Sequence, residues 1–263
     1  MEGIFPPDCL KRFEQNELAD VQNEQINSFS SKIQNKLPFF SAVLDNESFD
    51  LTHIFDSSLR GQVQHLVKGY EPAKESKGTD LRLNVVLRDE IPVSQRSRRM
   101  PFAEQKIVDK EIDEWLEKGI IKLSCSDYAS PILLTKKRDG THRLCVDFRQ
   151  LNKKVVKDSF PMAQVEEVLD HLGDAKVFST LVLKNGFFHV PVEEKCTKYL
   201  AFTCHAGLYE FLRTPFGLST SPSVFLRFIY NVFRDLIRDN AILIFMGDFI
   251  IPARDEIQGL EKL

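Results

Sequence analysis

Ala241-Ile-Leu-Ile-Phe-Met-Gly-Asp-Phe-Ile-Ile251 places two apolar, strand-like runs on either side of a tight Met246-Gly247-Asp248 turn. Short apolar runs around a glycine turn read as a β-hairpin. Such a hairpin holds the Asp248 carboxylate at its tip, where a metal ion can reach it. Just upstream, Ser221 is expected to cap a helix with Pro222 at its first position. Its apolar stripe is Phe225, Phe228, Ile229, Val232, Phe233 and Leu236. Further back, 199–203 and 208–212 read as paired strands around a loop with Gly207, and 177–183 as a strand. A short helix is expected from Val165 to Leu172, ending at Gly173. Ile132–Thr135 and Arg143–Asp147 flank an Asp139-Gly140 turn. A helix spans about Pro101 to Lys118, with Val108, Ile112, Trp115 and Leu116 on one face and Gly119 as its stop. Leu81–Leu87 reads as a strand. Helices mixed with antiparallel pairs indicate an α+β fold.

The chain has 263 residues, 43% of them hydrophobic, enough to bury a core in one large or two modest domains. Residues 1–80 read as a linker or poorly structured N-terminal segment, with a helix possible in 49–67. Net charge is −3, which by itself does not point to nucleic acid. Its distribution does: residues 136–157 hold eight basic side chains against only Asp139 and Asp147. The five cysteines form no C-x-x-C pair, so reduced, structural thiols are expected. No leader peptide and no apolar run of about 20 residues is present, so neither secretion nor a membrane is expected. The expected location is intracellular, cytoplasmic or nuclear.

Seven blocks occur in a fixed order from Ile91 onward. They are Tyr128-Ala-Ser-Pro-Ile132, Lys136-Lys-Arg-Asp-Gly140, Arg143-Leu-Cys-Val-Asp-Phe-Arg-Gln-Leu-Asn-Lys153, Phe178-Ser-Thr-Leu-Val-Leu-Lys-Asn-Gly-Phe187, Tyr209-Glu-Phe211, Pro215-Phe-Gly-Leu218 and Phe245-Met-Gly-Asp248. Together they resemble the reverse transcriptase of gypsy-type LTR retrotransposon Pol polyproteins, over about two-thirds of the chain. The resemblance implies fingers and a partial palm over residues 81–263, with an antiparallel palm sheet backed by helices. The chain stops at Leu263, 15 residues after Asp248, and shows no Asp-Ser/Thr-Gly protease signature, so a truncated protein without a thumb is expected.

The resemblance also assigns roles. Lys137 and Arg143 match residues that contact the incoming triphosphate; two cations on adjacent strands suit phosphate charge. Phe187 matches the aromatic gate against a ribose 2′-hydroxyl. Phe216 matches a position that packs near the nucleotide. The implied partners are an RNA or DNA template-primer and a deoxynucleotide, and the implied cofactor is Mg²⁺. On the residues alone, Lys137 and Arg143 also fit a solvated hairpin, and Phe187 and Phe216 fit core positions.

The departures bear on the chemistry. The family's two-metal reaction needs carboxylates holding two Mg²⁺ ions about 3.5–4 Å apart. Val182 and Gly247 occupy two of the three aspartate positions, leaving Asp248 as the remaining catalytic and metal-binding carboxylate. Neither valine nor glycine offers a side-chain oxygen, which Mg²⁺ requires. Asp174, Glu193, Glu194 and Asp255 read as loop or surface charges, and His142, His189 and His205 lack metal-ligand spacing. The expectation is therefore a reverse-transcriptase (RNA-directed DNA polymerase) fragment without useful activity. Two alternatives stay open: a non-catalytic nucleic-acid-binding remnant, and a decayed reading frame without a selected function.

Overall fold

A computed structural model of the chain describes residues 39–42, 49–50, 54, 56–68, 79–136, 140, 142–161, 168, 170–183, 185–245 and 248–262. The chain divides into two compact units, the first made of residues 1–70, 169–181 and 250–263 and the second of 71–168 and 182–249. The expected boundary at 80/81 and this division follow different lines.

In the first unit, β1 (Phe39–Ala42) pairs antiparallel with β2 (Phe49–Asp50) and parallel with β6 (Val177–Val182), Phe39 opposite Phe178. β10 (Asp248–Ala253) is the next strand beside β6. The Lys176 N–H donates to the Ala253 carbonyl at 2.9 Å. The start of β6 therefore meets the end of β10, and the two run antiparallel. Helix α1 (Ser57–Lys68) lies inside the 1–80 segment and overlaps the helix read within 49–67. The Asp56 carboxylate accepts from the Ser58 N–H at 2.7 Å and caps it. Leu59 and Val63 on α1 pack with Ile54, and Leu260 closes over them. Leu260 belongs to α7 (Glu256–Lys262), which opens with a capping box. There Asp255 accepts from the Gln258 N–H, and the Gln258 side chain returns to the Arg254 N–H, each at 2.8 Å. Apart from β1, β2, Ile54 and 56–68, residues 1–78 lie outside the described residues, as does most of the helix expected at 165–172.

The second unit is built on a five-stranded sheet of order β3-β8-β7-β4-β5. Its strands are β3 (Ile121–Leu123), β4 (Ser130–Lys136), β5 (His142–Val146), β7 (Ala201–Cys204) and β8 (Gly207–Phe211). β4 and β5 pair antiparallel from Ile132 opposite Val146 to Lys136 opposite His142, as the Asp-Gly turn predicts. β7 and β8 form the second expected hairpin, while β4 meets β7 in parallel. The expected strand at 81–87 is instead two isolated bridges, Leu83 with Val192 and Leu87 with Val155. β3 was not expected; it starts where Gly119, at φ +62, turns the chain out of the preceding helix.

That helix, α2 (Phe102–Glu117), buries Val108, Ile112 and Trp115. Pro101 precedes it in an extended conformation. Leu116, expected on the same face, is 37% exposed. Adjacent helical residues point about 100° apart, so Trp115 and Leu116 cannot share one seam. Trp115 takes the seam, with ring centroids 5.5 Å from Phe211, 5.8 Å from Phe188 and 6.3 Å from Phe202.

The short helices α3 (Arg149–Asn152) and α4 (Glu194–Thr197) precede α5 (Ser221–Val232) and α6 (Arg234–Arg238). On α5, Phe225 and Ile229 are buried as expected, joined by Val224 and Leu226. Val232 and Leu236 are exposed instead. The helix breaks at Phe233, which puts Leu236 out of phase; Phe233 turns to meet Phe249 of β10, centroids 4.9 Å apart. Thr220, not Ser221, holds the cap position. The Ser221 hydroxyl donates to the Pro215 carbonyl at 2.7 Å.

Two carboxylates anchor this unit. Asp147, its side chain 4% exposed, accepts from Arg149 Nε and Nη2 at 2.7 Å and from Arg98 Nη2 at 2.6 Å. The Arg149 hydrogen bonds hold its carboxyl below the usual carboxylate range. For Glu210 in β8, burial opposes ionisation, but hydrogen bonds from Ser124, Lys122 and Thr197 outweigh it and lower its pKa. A carboxyl whose folded pKa is depressed contributes stability above the unfolded value and loses it as pH falls toward the folded one. The melting temperature is therefore expected to drop below about pH 4, and Glu210→Gln to flatten that acid limb, in thermal melts taken across the acid range.

Among the described residues, Cys125, Cys145, Cys196 and Cys204 are free thiols, and Cys9 lies outside them. Buried Cys196 accepts from the Val85 N–H at 3.3 Å, and burial pushes its thiol pKa up, as suits a structural cysteine. No described helix is long and apolar enough to cross a membrane.

Candidate functional site

Three of the residues singled out in the sequence come together in the second unit. Arg143 stands exposed on β5, opposite Thr135 of β4. Its guanidinium carbon lies 5.9 Å from the centre of the Phe216 ring, a cation–π distance. Phe216 tilts against Phe187 with centroids 4.8 Å apart. Phe187 in turn meets Phe225 of α5 edge-on at 5.2 Å, and Phe188 meets Phe216 at 5.4 Å. Phe216 is 36% exposed, so the cluster is a half-open aromatic platform with a cation over its rim. That combination suits a ligand with both a flat face and an anionic group.

Local chain geometry builds this platform. Asn185 takes a left-handed conformation (φ 52°) and starts the 3-10 turn Gly186–His189 that carries Phe187 and Phe188. A Cβ on Gly186 would fall 2.7 Å from the Phe225 ring, so only glycine admits this contact. Phe216 rides on a loop whose next residue, Gly217, has φ +87, and a Cβ there would lie 3.2 Å from the Val146 carbonyl. Gly217→Ala is expected to cost about 1–3 kcal/mol, read by chemical denaturation, because it combines left-handed strain with a tight backbone contact. Asn152 of α3 clamps the same loop twice. Its Nδ2 donates to the Gly217 carbonyl and its Oδ1 accepts from the Ser219 N–H, both at 2.9 Å. In the sequence Asn152 sits within the 143–153 block, and its spacing carries no sign of this clamp.

The carboxylate end of the site is placed by the β6–β10 pair. Val182 is the last residue of β6 and Asp248 the first of β10. Because the strands run antiparallel, both residues lie at the same end of the pair. Asp248 is half-buried, and that burial pushes its carboxyl pKa up from the ordinary value. β9 (Leu243–Phe245) neighbours β10, completing the expected hairpin strands. Lys137, Met246, Gly247 and the side chain of Val182 lie outside the described residues.

The donor set does not fit a pair of Mg²⁺ ions. Val182 and Gly247 bring no side-chain oxygen, and among the described residues no group of three or more His, Cys, Asp or Glu side chains is placed to hold a metal. Of the other acids and histidines, Glu193 pairs with Lys195 at 2.8 Å, His205 with Asp109 at 2.8 Å, and Asp255 accepts from the Gln258 N–H.

Residues 135–263 match the family model described as reverse transcriptase (RNA-dependent DNA polymerase). The chain is 31% identical over 268 residues to the retrovirus-related Pol polyprotein from transposon opus of Drosophila melanogaster, covering 97% of this chain and 26% of that polyprotein. It is 33% identical over 183 residues to the corresponding polyprotein from transposon 412 of the same species, covering 67% of this chain and 15% of the relative. To that of transposon gypsy it is 34% identical over 174 residues, 64% of this chain and 17% of the relative. The chain thus spans only about a sixth to a quarter of these polyproteins. Among solved structures, the prototype foamy virus protease–reverse transcriptase superposes with a TM-score of 0.67 at 20% identity, covering 90% of this chain and 30% of that one. The foamy viral protein in complex with an RNA/DNA hybrid gives a TM-score of 0.64 at 19% identity, over the same shares of the two chains. At that identity the likeness establishes the fold.

Proposed function

Because the chain belongs to the reverse transcriptases of retrotransposon Pol polyproteins, we propose that it keeps the template-binding scaffold of that family without its nucleotidyl-transfer chemistry. One observation supports the reading: Val182 and Asp248 lie at the same end of neighbouring strands, and an apolar residue at 182 offers no second side-chain carboxylate there. One half-buried carboxylate does not displace the hydration shells of two Mg²⁺ ions. Mg²⁺, where bound in a complete site, supplies Lewis-acid activation of the attacking hydroxyl and the triphosphate.

The remaining residues support binding. Arg143 over Phe216, with Phe187 beside it, offers a stacking face and a positive charge to a nucleotide or an unpaired base. Lys137, on the same hairpin in sequence, adds a second cation for phosphate. The relevant ligands are an RNA or DNA template-primer and a deoxynucleotide, encountered inside the cell. Residues 81–263 form the fingers and partial palm in this reading, with 1–80 leading into them.

The test is primer extension on a homopolymer template with Mg²⁺ and with Mn²⁺, alongside an electrophoretic shift. No extension, together with a shift that weakens steeply between about 50 and 200 mM salt, is the expected pattern. Arg143→Gln is expected to weaken the shift and lower its salt slope by about one. Metal-dependent extension by the unaltered chain would overturn the reading.

A further inference from the structure

Ring contacts alone do not hold the aromatic face of the platform. The backbone carbonyls on either side of Phe216 are each pinned by a side-chain donor. The Ser221 hydroxyl donates to the Pro215 carbonyl at 2.7 Å, and Asn152 Nδ2 donates to the Gly217 carbonyl at 2.9 Å. The same Asn152 amide accepts from the Ser219 N–H through Oδ1, also at 2.9 Å. Both polar atoms of one side chain are thus spent on one loop. A planar amide bonded through its donor and its acceptor fixes the direction of what it holds as well as the distance.

Asn152 itself has a firm base. It closes α3, whose Leu151 is fully buried. The first residue of that helix, Arg149, grips buried Asp147 through Nε and Nη2. Asp147 directly follows β5, the strand that carries Arg143. One continuous segment, residues 143–152, therefore has the cation of the platform at its start and the amide that holds the Phe216 loop at its end. Cation and ring, 5.9 Å apart, are kept in register by the same piece of chain.

We propose that Asn152 is a positioning residue for the platform: it holds the loop so that the Phe216 ring faces the Arg143 guanidinium, and it thereby sets the affinity that a flat nucleobase adds to that of phosphate charge. It acts through Phe216 and not by contact with the ligand. Its effect on affinity rests on the nucleotide-binding reading above; its effect on the ring stands on the hydrogen bonds alone.

Two readouts test it, one of them without ligand. In nuclear magnetic resonance of the free, full chain, the Arg143 side-chain protons are expected to be shifted upfield by the Phe216 ring current, a shift that Phe216→Leu abolishes. Asn152→Ala is expected to lose most of that shift. Asn152→Asp keeps an acceptor for the Ser219 N–H but has no donor for the Gly217 carbonyl, and is expected to lose part of it; where Asn152→Ala does not melt cooperatively, this variant carries the same tests. In calorimetric titration, Asn152→Ala is expected to weaken binding of a deoxynucleoside triphosphate about tenfold, the scale of one lost stacking contact. Inorganic tripolyphosphate has the charge without the flat face and is expected to bind the variant as it binds the unaltered chain. Equal weakening of both ligands marks a general structural role and sinks the proposal. So does an Arg143 shift that the folded variant retains in full, or one that Phe216→Leu does not touch in the unaltered chain. If the unaltered chain binds neither ligand while Asn152→Ala loses the shift, the nucleotide-binding reading fails and the positioning role stands.

Discussion

Val182→Asp and Gly247→Asp introduced together are expected to raise primer extension in Mg²⁺ by on the order of 10³-fold over the parent, or about 4 kcal/mol of barrier. Val182 closes β6 and Asp248 opens β10 at the same end of an antiparallel pair, with Gly247 one residue before Asp248. A residue at 182 therefore stands at the Asp248 end of the pair, and one at 247 adjoins Asp248 in the chain. Either single substitution is expected to give little, because two carboxylates still leave the second ion poorly held. Mn²⁺ binding gives a second readout, with the double variant expected to take up two ions. A folded double variant that binds no more Mn²⁺ than its parent would show that something other than the missing carboxylates silences the site.

The other large effect concerns stability. Phe211→Ala is expected to cost about 3–5 kcal/mol, the usual range for emptying a fully buried aromatic site. Phe211 is fully buried in β8 and touches four rings, with centroids 5.1 Å from Phe202, 5.5 Å from Trp115, 6.3 Å from Phe188 and 6.4 Å from Phe148. Phe188 also meets Phe216, so the same cluster underlies the aromatic platform. Trp115 is the chain's single tryptophan, and its fluorescence reports the denaturation midpoint directly. A loss below about 1 kcal/mol would mean that the surrounding rings collapse into the space, contrary to the tight packing inferred here.

Elements with strong local signals were legible in the sequence. The 132–146 hairpin carries Asp-Gly at its turn and forms in the expected register around it. α2 begins after Pro101 and stops at Gly119, whose positive φ only glycine adopts cheaply. Signals fail where the decision is long-range. Leu83 and Leu87 alternate like a strand but meet partners at Val192 and Val155, one bridge each, so no ladder forms. Val232 and Leu236 fit a helical stripe that the break at Phe233 interrupts. α1 lies in a polar stretch that gave little warning of the Ile54–Leu59–Val63 cluster, because its apolar closure, Leu260, comes from the other end of the chain.

The amino-acid sequence by itself determined the family, through seven ordered blocks, and the side chains on offer at the metal site, because neither valine nor glycine carries a side-chain oxygen. Tertiary structure alone decided which residues share a space. It brought Arg143, Phe216 and Phe187 onto one platform and set Asn152 to hold the loop beneath it. It also buried the Thr220 hydroxyl without a hydrogen-bond partner. Those juxtapositions join residues up to 73 positions apart, from Arg143 to Phe216, and they depend on packing and backbone angles that local patterns in a chain do not encode.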